Sequence, residues 1–377
     1  MQILQADRDA LLKPLQAVTG IVERRHTLPI LANVLIEKSG DTLTFLATDL
    51  EIQITHASPE PIAGPDFRLT TSAKKFSDIL RAIPDRTTVT LDHEDGRLTV
   101  KAGKSRFNLQ SLPADDFPLL TQSLDAQAGF ALPQRDFKAL LSQVQYAMAV
   151  QDIRYYLNGL LLVTDGNQVK LVATDGHRLA FAQMTLDTPL PAAEVILPRK
   201  TITELYKLLA DSDDTIDITL MNNQVRFAFG GSVIVSKVVD GKFPDYNRVI
   251  PLDNDKLFLI GRQALQQALA RAAILANEKF RGVRLAIEAG RLRIQCNNSE
   301  QEEAEEELEI AYGGSGLEIG FNITYLQDVL AALHVDTLQL AFGDANRSAL
   351  VTIPRQSELQ VHRDADANLA RPQARAG

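Results

Sequence analysis

The chain has 377 residues, more than the ~100–200 of one domain, so two or three domains are expected. Apolar residues make up 45% and charged residues 23%, which excludes disorder, collagen and low complexity. The net charge of −9 makes the average surface repel nucleic acid, so any role on DNA needs basic residues gathered on one face.

In chain order, Leu11, Pro14, Leu15 and Val18 fall at i, i+3, i+4 and i+7, which predicts a helix with one apolar stripe. Leu43–Ile54 reads LTFLATDLEIQI, a strand ending in the polar pair Thr48-Asp49. Phe76, Ile79, Leu80 and Ile83 give a second helix stripe. Leu98, Val100 and Ala102, then Phe107 and Leu109, alternate as strands beside the turn signal Asp95-Gly96. Phe117-Pro118 and the aperiodic stretch Leu119–Gly129 close this part.

The pattern then starts again. Phe137, Leu140, Leu141 and Val144 lie 126 residues after the first stripe. Lys170–Phe181 reads KLVATDGHRLAF, a strand ending in Thr174-Asp175 and preceded by the turn signal Asp165-Gly166. Ile202, Leu205, Tyr206 and Leu209 follow, then Phe243-Pro244 and the linker Tyr246–Lys256. A third round has Leu265, Ala268, Leu269 and Ala272, the segment RIQCNNSEQEE with Asn297-Asn298, and Leu326, Val329, Leu330 and Leu333. Asp49, Asp175 and Asn298 are 126 and then 123 residues apart. Amphipathic helices recur in many α+β chains, but here loops and strand ends repeat in register with them. The expectation is α+β, three tandem domains of two helices on a mostly antiparallel sheet, near 1–122, 129–250 and 251–377.

Catalytic signatures are sparse. His26, His56, His93, His177, His334 and His362 are dispersed, with no pair at metal-ligand spacing on a helix, so no metal or cofactor is expected. Cys296 is the single cysteine, which excludes a disulfide framework and a Cys-based zinc site. Gly103-Lys104-Ser105 lacks the phosphate-loop glycine five positions upstream, where Leu98 stands, and reads as a hairpin turn. Gly314-Ser315-Gly316 lacks the dinucleotide fingerprint. Thr174-Asp175-Gly176-His177-Arg178 could be an Asp–His dyad of a hydrolase, or a surface turn in which Gly176 supplies an unusual backbone angle. The run Glu302, Glu303, Glu305, Glu306, Glu307 could bind a hard cation, form a solvated face, or dock a partner. Lys74-Lys75 and Arg199-Lys200 stand at the starts of equivalent helices, where cations oppose the helix dipole, so an external anion is a candidate reason for them. No apolar run approaches the ~18 residues of a membrane span, and Met1–Asp7 has no leader character, which points to the cytoplasm.

Long segments in all three parts carry a resemblance. LLKPLQ (11–16), TLPIL (27–31), QDIRYYLNG (151–159), ATDGHRLA (173–180), VDGKFPDY (239–246), ARAAILANEKFRGVRL (270–285), NNSEQEEAEE (297–306) and GFNITYLQDVL (320–330) resemble the bacterial DNA polymerase III beta subunits, the sliding clamps. The resemblance covers residues 1 to about 335 and implies the DNA clamp fold, a head-to-tail homodimeric ring with helices inside and sheets outside. It implies a processivity subunit without a catalytic site, associated with the nucleoid. Such a ring encircles duplex DNA topologically, without reading sequence. It tethers the polymerase III catalytic subunit, the clamp loader, other polymerases and repair proteins through short hydrophobic peptides.

Residue by residue, the resemblance implies DNA contacts at Arg25, Lys75, Gln151, Tyr155, Tyr156, Arg199, Lys200, Lys279 and Phe280. It implies a partner-peptide cleft of Arg154, Leu157, Thr174, Gly176, His177, Arg178, Leu179, Pro244, Arg248, Val249, Asn322 and Tyr325. In it Leu157, Leu179, Pro244 and Val249 form the apolar pocket, and Arg154 and His177 orient the peptide. The dimer contact is expected at Lys104, Arg106, Phe107 and Leu109 on one side and Ile274, Leu275, Phe280, Glu302, Glu303, Glu305 and Glu306 on the other. A hydrolase, or a three-repeat scaffold that does not bind DNA, is the competing class. The ending departs from the family, whose clamps finish on a strand like Tyr-Val-Val-Met-Pro-Met-Arg-Leu. Synonymous codons for Val361–Asn368 can be chosen that give Tyr-Ile-Val-Met-Pro-Met-Arg when read from the second base, so a one-base shift between about Ala345 and Gln360 is expected. Residues Val361–Gly377 are then expected to be disordered.

Overall fold

The computed structural model describes residues 1–23, 28–121 and 126–354, and the backbone of 367–370. The first round of the pattern folds as β1 (Gln2–Asp7), α1 (Arg8–Thr19), β2 (Asn33–Ser39), β3 (Thr42–Thr48), β4 (Ile52–Ala57), β5 (Phe67–Ser72), α2 (Ala73–Ala82), β6 (Thr88–Glu94), β7 (Arg97–Ala102) and β8 (Ser105–Gln110). The second is β9 (Ala126–Pro133), α3 (Gln134–Val144), β10 (Gly159–Thr174), β11 (Arg178–Pro198), α4 (Arg199–Leu208), β12 (Thr215–Met221), β13 (Gln224–Phe229) and β14 (Ser232–Lys237). The third is β15 (Lys256–Gly261), α5 (Arg262–Ala272), β16 (Gly282–Glu288), β17 (Arg291–Asn297), β18 (Glu303–Glu309), β19 (Leu317–Asn322), α6 (Ile323–Ala332), β20 (Thr337–Phe342), β21 (Ala349–Thr352) and β22 (Ala367–Ala370).

Short polar side chains start three of the helices, while α5 begins after Gly261 without a side-chain cap. Asp7, Ser72 and Asn322 cap α1, α2 and α6 by accepting from the N–H of Asp9, Lys75 and Thr324. The apolar stripes then turn inward. Leu11, Leu15, Val18, Phe76, Leu80, Phe137, Leu141, Ile202, Leu205, Leu265, Leu269, Leu326 and Leu330 are all buried. Ile79 and Tyr206, at the stripe margins, are half-buried.

The chain divides into two compact units, Met1–Lys138 with Lys200–Val238, and Ala139–Arg199 with Val239–Gly377. The first holds a sheet of order β1-β6-β7-β8 and an eight-stranded sheet of order β5-β2-β3-β4-β14-β13-β12-β9. The second holds a six-stranded sheet of order β10-β11-β22-β21-β20-β15 and a four-stranded one of order β18-β17-β16-β19. In both units, strands of successive repeats meet edge to edge and antiparallel. β4 pairs with β14, Ser236 opposite Ile52 and Ser232 opposite His56. β11 pairs with β22, Arg178 opposite Ala370 and Phe181 opposite Ala367.

The polar pairs that end the first two repeated strands build the same turn, and the third builds a related turn one residue longer. Thr48 Oγ1 donates to Ile52 O at 2.9 Å, and Asp49 Oδ1 accepts from the N–H of Glu51 and Ile52 at 2.9 and 2.8 Å. In the second repeat Thr174 Oγ1 donates to Arg178 O at 2.6 Å, and Asp175 Oδ1 accepts from His177 and Arg178 at 2.9 and 3.0 Å. In the third, Asn298 Oδ1 accepts from Glu300 and Glu302 at 3.0 and 2.9 Å. Each turn passes through positive φ, at Leu50, Gly176 and Gln301. Gly103 closes the β7–β8 hairpin at φ +55°, as its sequence setting predicts.

The tail corrects an expectation. Ala367–Ala370 is a strand between β11 and β21, so 361–377 is not uniformly without structure; residues 361–366 and 371–377 lie outside the described residues. The two flanking edges offer unpaired backbone groups, which any sequence able to extend can satisfy.

Gly159 opens β10 opposite Pro198 of β11, and a Cβ there would sit 2.4 Å from the Leu197 carbonyl oxygen. Gly159→Ala is expected to destabilise the second unit by about 1–3 kcal/mol through overpacking. The check is a lower midpoint in urea denaturation against the unsubstituted chain.

Candidate functional site

The turn 174–178 lies in the second unit, and most of the residues assigned to the cleft gather around it. Leu157 and Leu179 are buried in one apolar cluster with Ala149, Leu161, Val172, Phe181, Ile196 and Phe243. Tyr246 and Val249 pack against this cluster from the linker, and Leu350 from β21. Phe181 and Tyr246 stack with centroids 5.8 Å apart. Pro244 is exposed and does not join the cluster; its neighbour Phe243 does. Two residues absent from the sequence-based assignment had a signal. Phe181 follows Leu179 by two on a strand and so shares its face, and Phe243 repeats Phe117.

The polar rim is held by charge. Arg154 grips Asp152 with two N–H groups, at 3.0 and 2.8 Å, and reaches the Asp175 carbonyl at 3.3 Å. The guanidinium holds the Asp152 carboxyl down at about 2. Gly176, at φ +89°, lets the turn approach Arg154, because a Cβ would meet the guanidinium nitrogens at 3.0 Å. The His177 ring stacks on Tyr325 at 6.2 Å. Burial pushes the Tyr325 phenol above its ordinary range. Arg178 donates to Asp175 and to Asp328 of α6, and its guanidinium lies 4.8 Å from the Tyr325 ring centroid. Arg248 pairs with Asp245 at 3.0 Å, and Asn322 spends its side-chain oxygen on the cap of α6.

This geometry bears on the hydrolase alternative. The Asp175 carboxylate accepts from two backbone N–H groups and from Arg178, while the His177 ring faces Tyr325. The two side chains therefore do not form a dyad, and the turn reading of this motif is the one the hydrogen bonds support. Among the described residues no group of three His, Cys, Asp or Glu side chains gathers as a metal site. Among them, too, no helix is long and apolar enough to cross a membrane.

The candidate DNA-facing residues have unequal freedom. Lys75 is exposed in the first turn of α2. Lys200 is already paired with Asp49 and Glu23. Arg199 donates to the Met148 carbonyl at 2.8 Å. Gln151 sits at φ +55°; Tyr155 is exposed and packs edge-on to Tyr156 at 5.9 Å. Lys279 lies over the ring of exposed Phe280 at 5.4 Å. Arg25 lies outside the described residues.

Of the candidate interface residues, Lys104 and Arg106 are exposed on the β7–β8 hairpin, with Phe107 half-buried and Leu109 buried. Ile274 is 78% exposed and Leu275 is half-buried. The acidic run is the edge strand β18. Glu303 and Glu305 are exposed, Glu305 accepting from Gln295 at 2.6 Å, whereas Glu306 makes a two-point bond to Arg271 of its own chain and Glu302 accepts from Asn298.

Comparison with known proteins accounts for this arrangement. The chain matches the DNA polymerase III beta subunit models for the N-terminal domain over residues 2–121, the central domain over 131–245 and the C-terminal domain over 247–363. It is 46% identical over 347 residues to the beta sliding clamp of Pseudomonas aeruginosa, covering 91% of this chain and 94% of that one. It is 44% identical to the Escherichia coli K12 beta sliding clamp over 345 residues, 92% of this chain and 94% of that one. A P. aeruginosa sliding clamp bound to griselimycin superposes with a TM-score of 0.93 at 42% identity, over 99% of each chain. The three-domain clamp fold and the matches along its whole length make this chain a member of the DNA polymerase III beta subunit family, the DNA sliding clamps.

Proposed function

We propose that two copies of this chain close head to tail into a ring around duplex DNA and tether a polymerase and other replication and repair proteins through the cleft of the second unit, in the cytoplasm at the nucleoid. Domains bounded near 1–122, 129–250 and 251–377 are the units of that ring. The ring performs no chemistry of its own; the tether raises the local concentration of its partners on DNA.

One observation carries the ring. The internal β4–β14 junction is a template for a junction between chains. Ser105 starts β8 opposite Ala102 as Ser232 starts β14 opposite Phe229. Glu303 opens β18 opposite Asn297 as Gln53 follows its turn opposite Thr48. β8 and β18 are both sheet edges. Transferring the pairing of Val233 with Thr55 sets Arg106 opposite Glu305 of a second copy, and transferring that of Ile234 with Ile54 sets Phe107 opposite Ala304. The bond from Glu306 to Arg271 neutralises that carboxylate within the chain, whereas Glu305 is bonded to the neutral Gln295 amide, so Glu303 and Glu305 are the acidic partners. Exposed pairs contribute only ~0–1 kcal/mol each, so Phe107, Ile274 and Leu275 supply most of the affinity. An open depression of about 1300 Å³ lined by Phe280, Arg284, Asn298 and Glu303 adjoins this edge.

Retention on DNA needs only weak, sequence-independent contacts. The two carboxylates beside Lys200 make it a poor phosphate contact, and Lys75 a better one. Griselimycin, bound in the P. aeruginosa clamp, is proposed to bind this chain too. The base-shift reading of the tail predicts a tail without structure, and the strand at Ala367–Ala370 weighs against it.

Three measurements follow from these proposals. Ile274→Asp with Leu275→Asp is expected to give monomers by light scattering at low micromolar concentration; an unchanged dimer mass refutes this contact. The loaded protein is expected to stay on closed circular DNA and run off after linearisation, and tight sequence-specific binding to a short duplex contradicts the ring. On linear DNA, Lys75→Ala is expected to lower the log–log salt slope by roughly 0.9, and Lys200→Ala by clearly less.

A further inference from the structure

We infer that Arg178 is a positioning residue of the cleft: it holds the turn 174–178 against Tyr325 and α6 without itself touching a bound peptide. This rests on reading the cleft as the partner site.

The Arg178 side chain is 13% exposed. Its Nε donates to Asp175 Oδ2 at 3.1 Å, its Nη1 to Asp328 Oδ2 and its Nη2 to the Tyr146 carbonyl at 2.9 Å. The rings of Tyr146 and Tyr325 flank the guanidinium, with centroids 5.2 and 4.8 Å away. A planar, permanently charged group with donors in fixed directions suits such a node, and this one has its bonding directed inward. Yet its two chain neighbours belong to the cleft: Leu179 to the apolar cluster, and His177 to the stack on Tyr325.

The first repeat shows that Arg178 is not needed to make the turn. Ile52 stands in its place there, and Thr48 and Asp49 form the same hydrogen bonds. In that repeat the turn is tied to α4 of the next repeat by Lys200, which pairs with Asp49. In the second repeat the tie runs the other way, from Arg178 to Asp328 of α6. Without Arg178, the carboxylates of Asp175 and Asp328 would face the same space with no cation between them, and Tyr325 would lose the guanidinium while keeping only its stack with His177 on that side. The turn would keep its backbone bonds while the rim carried by His177 and Tyr325 shifted.

The test uses the full dimeric chain and a fluorescein-labelled hexapeptide carrying one leucine and one phenylalanine among glutamine and serine, read by fluorescence anisotropy. Arg178→Met keeps an unbranched side chain between the rings and removes the charge. It is expected to weaken the peptide about tenfold or more, with dimer mass and retention on circular DNA unchanged. Asp328→Asn is expected to reduce the Arg178→Met penalty at least about fivefold, because the two groups act through each other. Arg178→Lys is expected to lie between Met and wild type. Equal penalties in the wild-type and Asp328→Asn backgrounds would mean direct contact with the peptide, and overturn the inference. So would unchanged affinity of Arg178→Met, or a loss of dimer mass that parallels the loss of peptide. If the unsubstituted chain fails to bind the hexapeptide, the cleft reading falls, and the inference with it.

Discussion

An unpaired sheet edge is the constraint on which this structure is built. Each repeat carries strands whose outer N–H and C=O groups have no partner inside the repeat, and such groups are costly to bury and adhesive when exposed. Within the first unit the solution is the β4–β14 pairing, and within the second the insertion of β22 beside β11. β8 and β18 are among the sheet edges that remain. They differ in charge, with Lys104 and Arg106 near one and Glu303 and Glu305 on the other, which favours joining unlike edges over like ones. The internal β4–β14 pairing shows that edges of this fold can join antiparallel, and β8 and β18 are unlike edges of the same kind.

Ion pairs at the turns give these junctions direction. Lys200 reaches from α4 to Asp49, and Arg178 from the second turn to Asp328 of α6. Surface pairs of this sort contribute little to stability by themselves. Their effect lies in geometry, because each fixes a turn against a helix of the next repeat. Arg154 shows the same economy: Asp152 fixes its guanidinium, and Gly176 leaves room for it beside the turn.

The charges are unevenly distributed along the chain. Carboxylates concentrate on β18, while exposed Lys75 stands at the start of α2 and Lys279 beside Phe280. Lys200 is the exception, since two carboxylates in its own unit already neutralise it. Contacts that are few and weak suit a protein held by closure, which must slide without pausing at particular bases.

Much of the fold was legible in the residues. The helix stripes, the hairpin at Gly103 and the Thr-Asp turns depend on interactions a few residues apart, and periodicity reports those directly. The threefold repeat needed only comparison of spacings, because copies of one fold keep their core positions. The turn reading of Asp175 and His177 also followed from local chemistry, in which a glycine takes up positive φ and a carboxylate caps the backbone. Tertiary structure decided which charges are free. Glu306 belongs to Arg271, thirty-five residues away, and Arg178 to Asp328, one hundred and fifty away. It decided that Phe243 rather than Pro244 joins the apolar cluster, and that Ala367–Ala370 finds a slot between two strands. Local spacing fixes what each repeat is; which side chain meets which across repeats depends on how sheets dock edge to edge, and that is set by packing over distances a sequence window does not span.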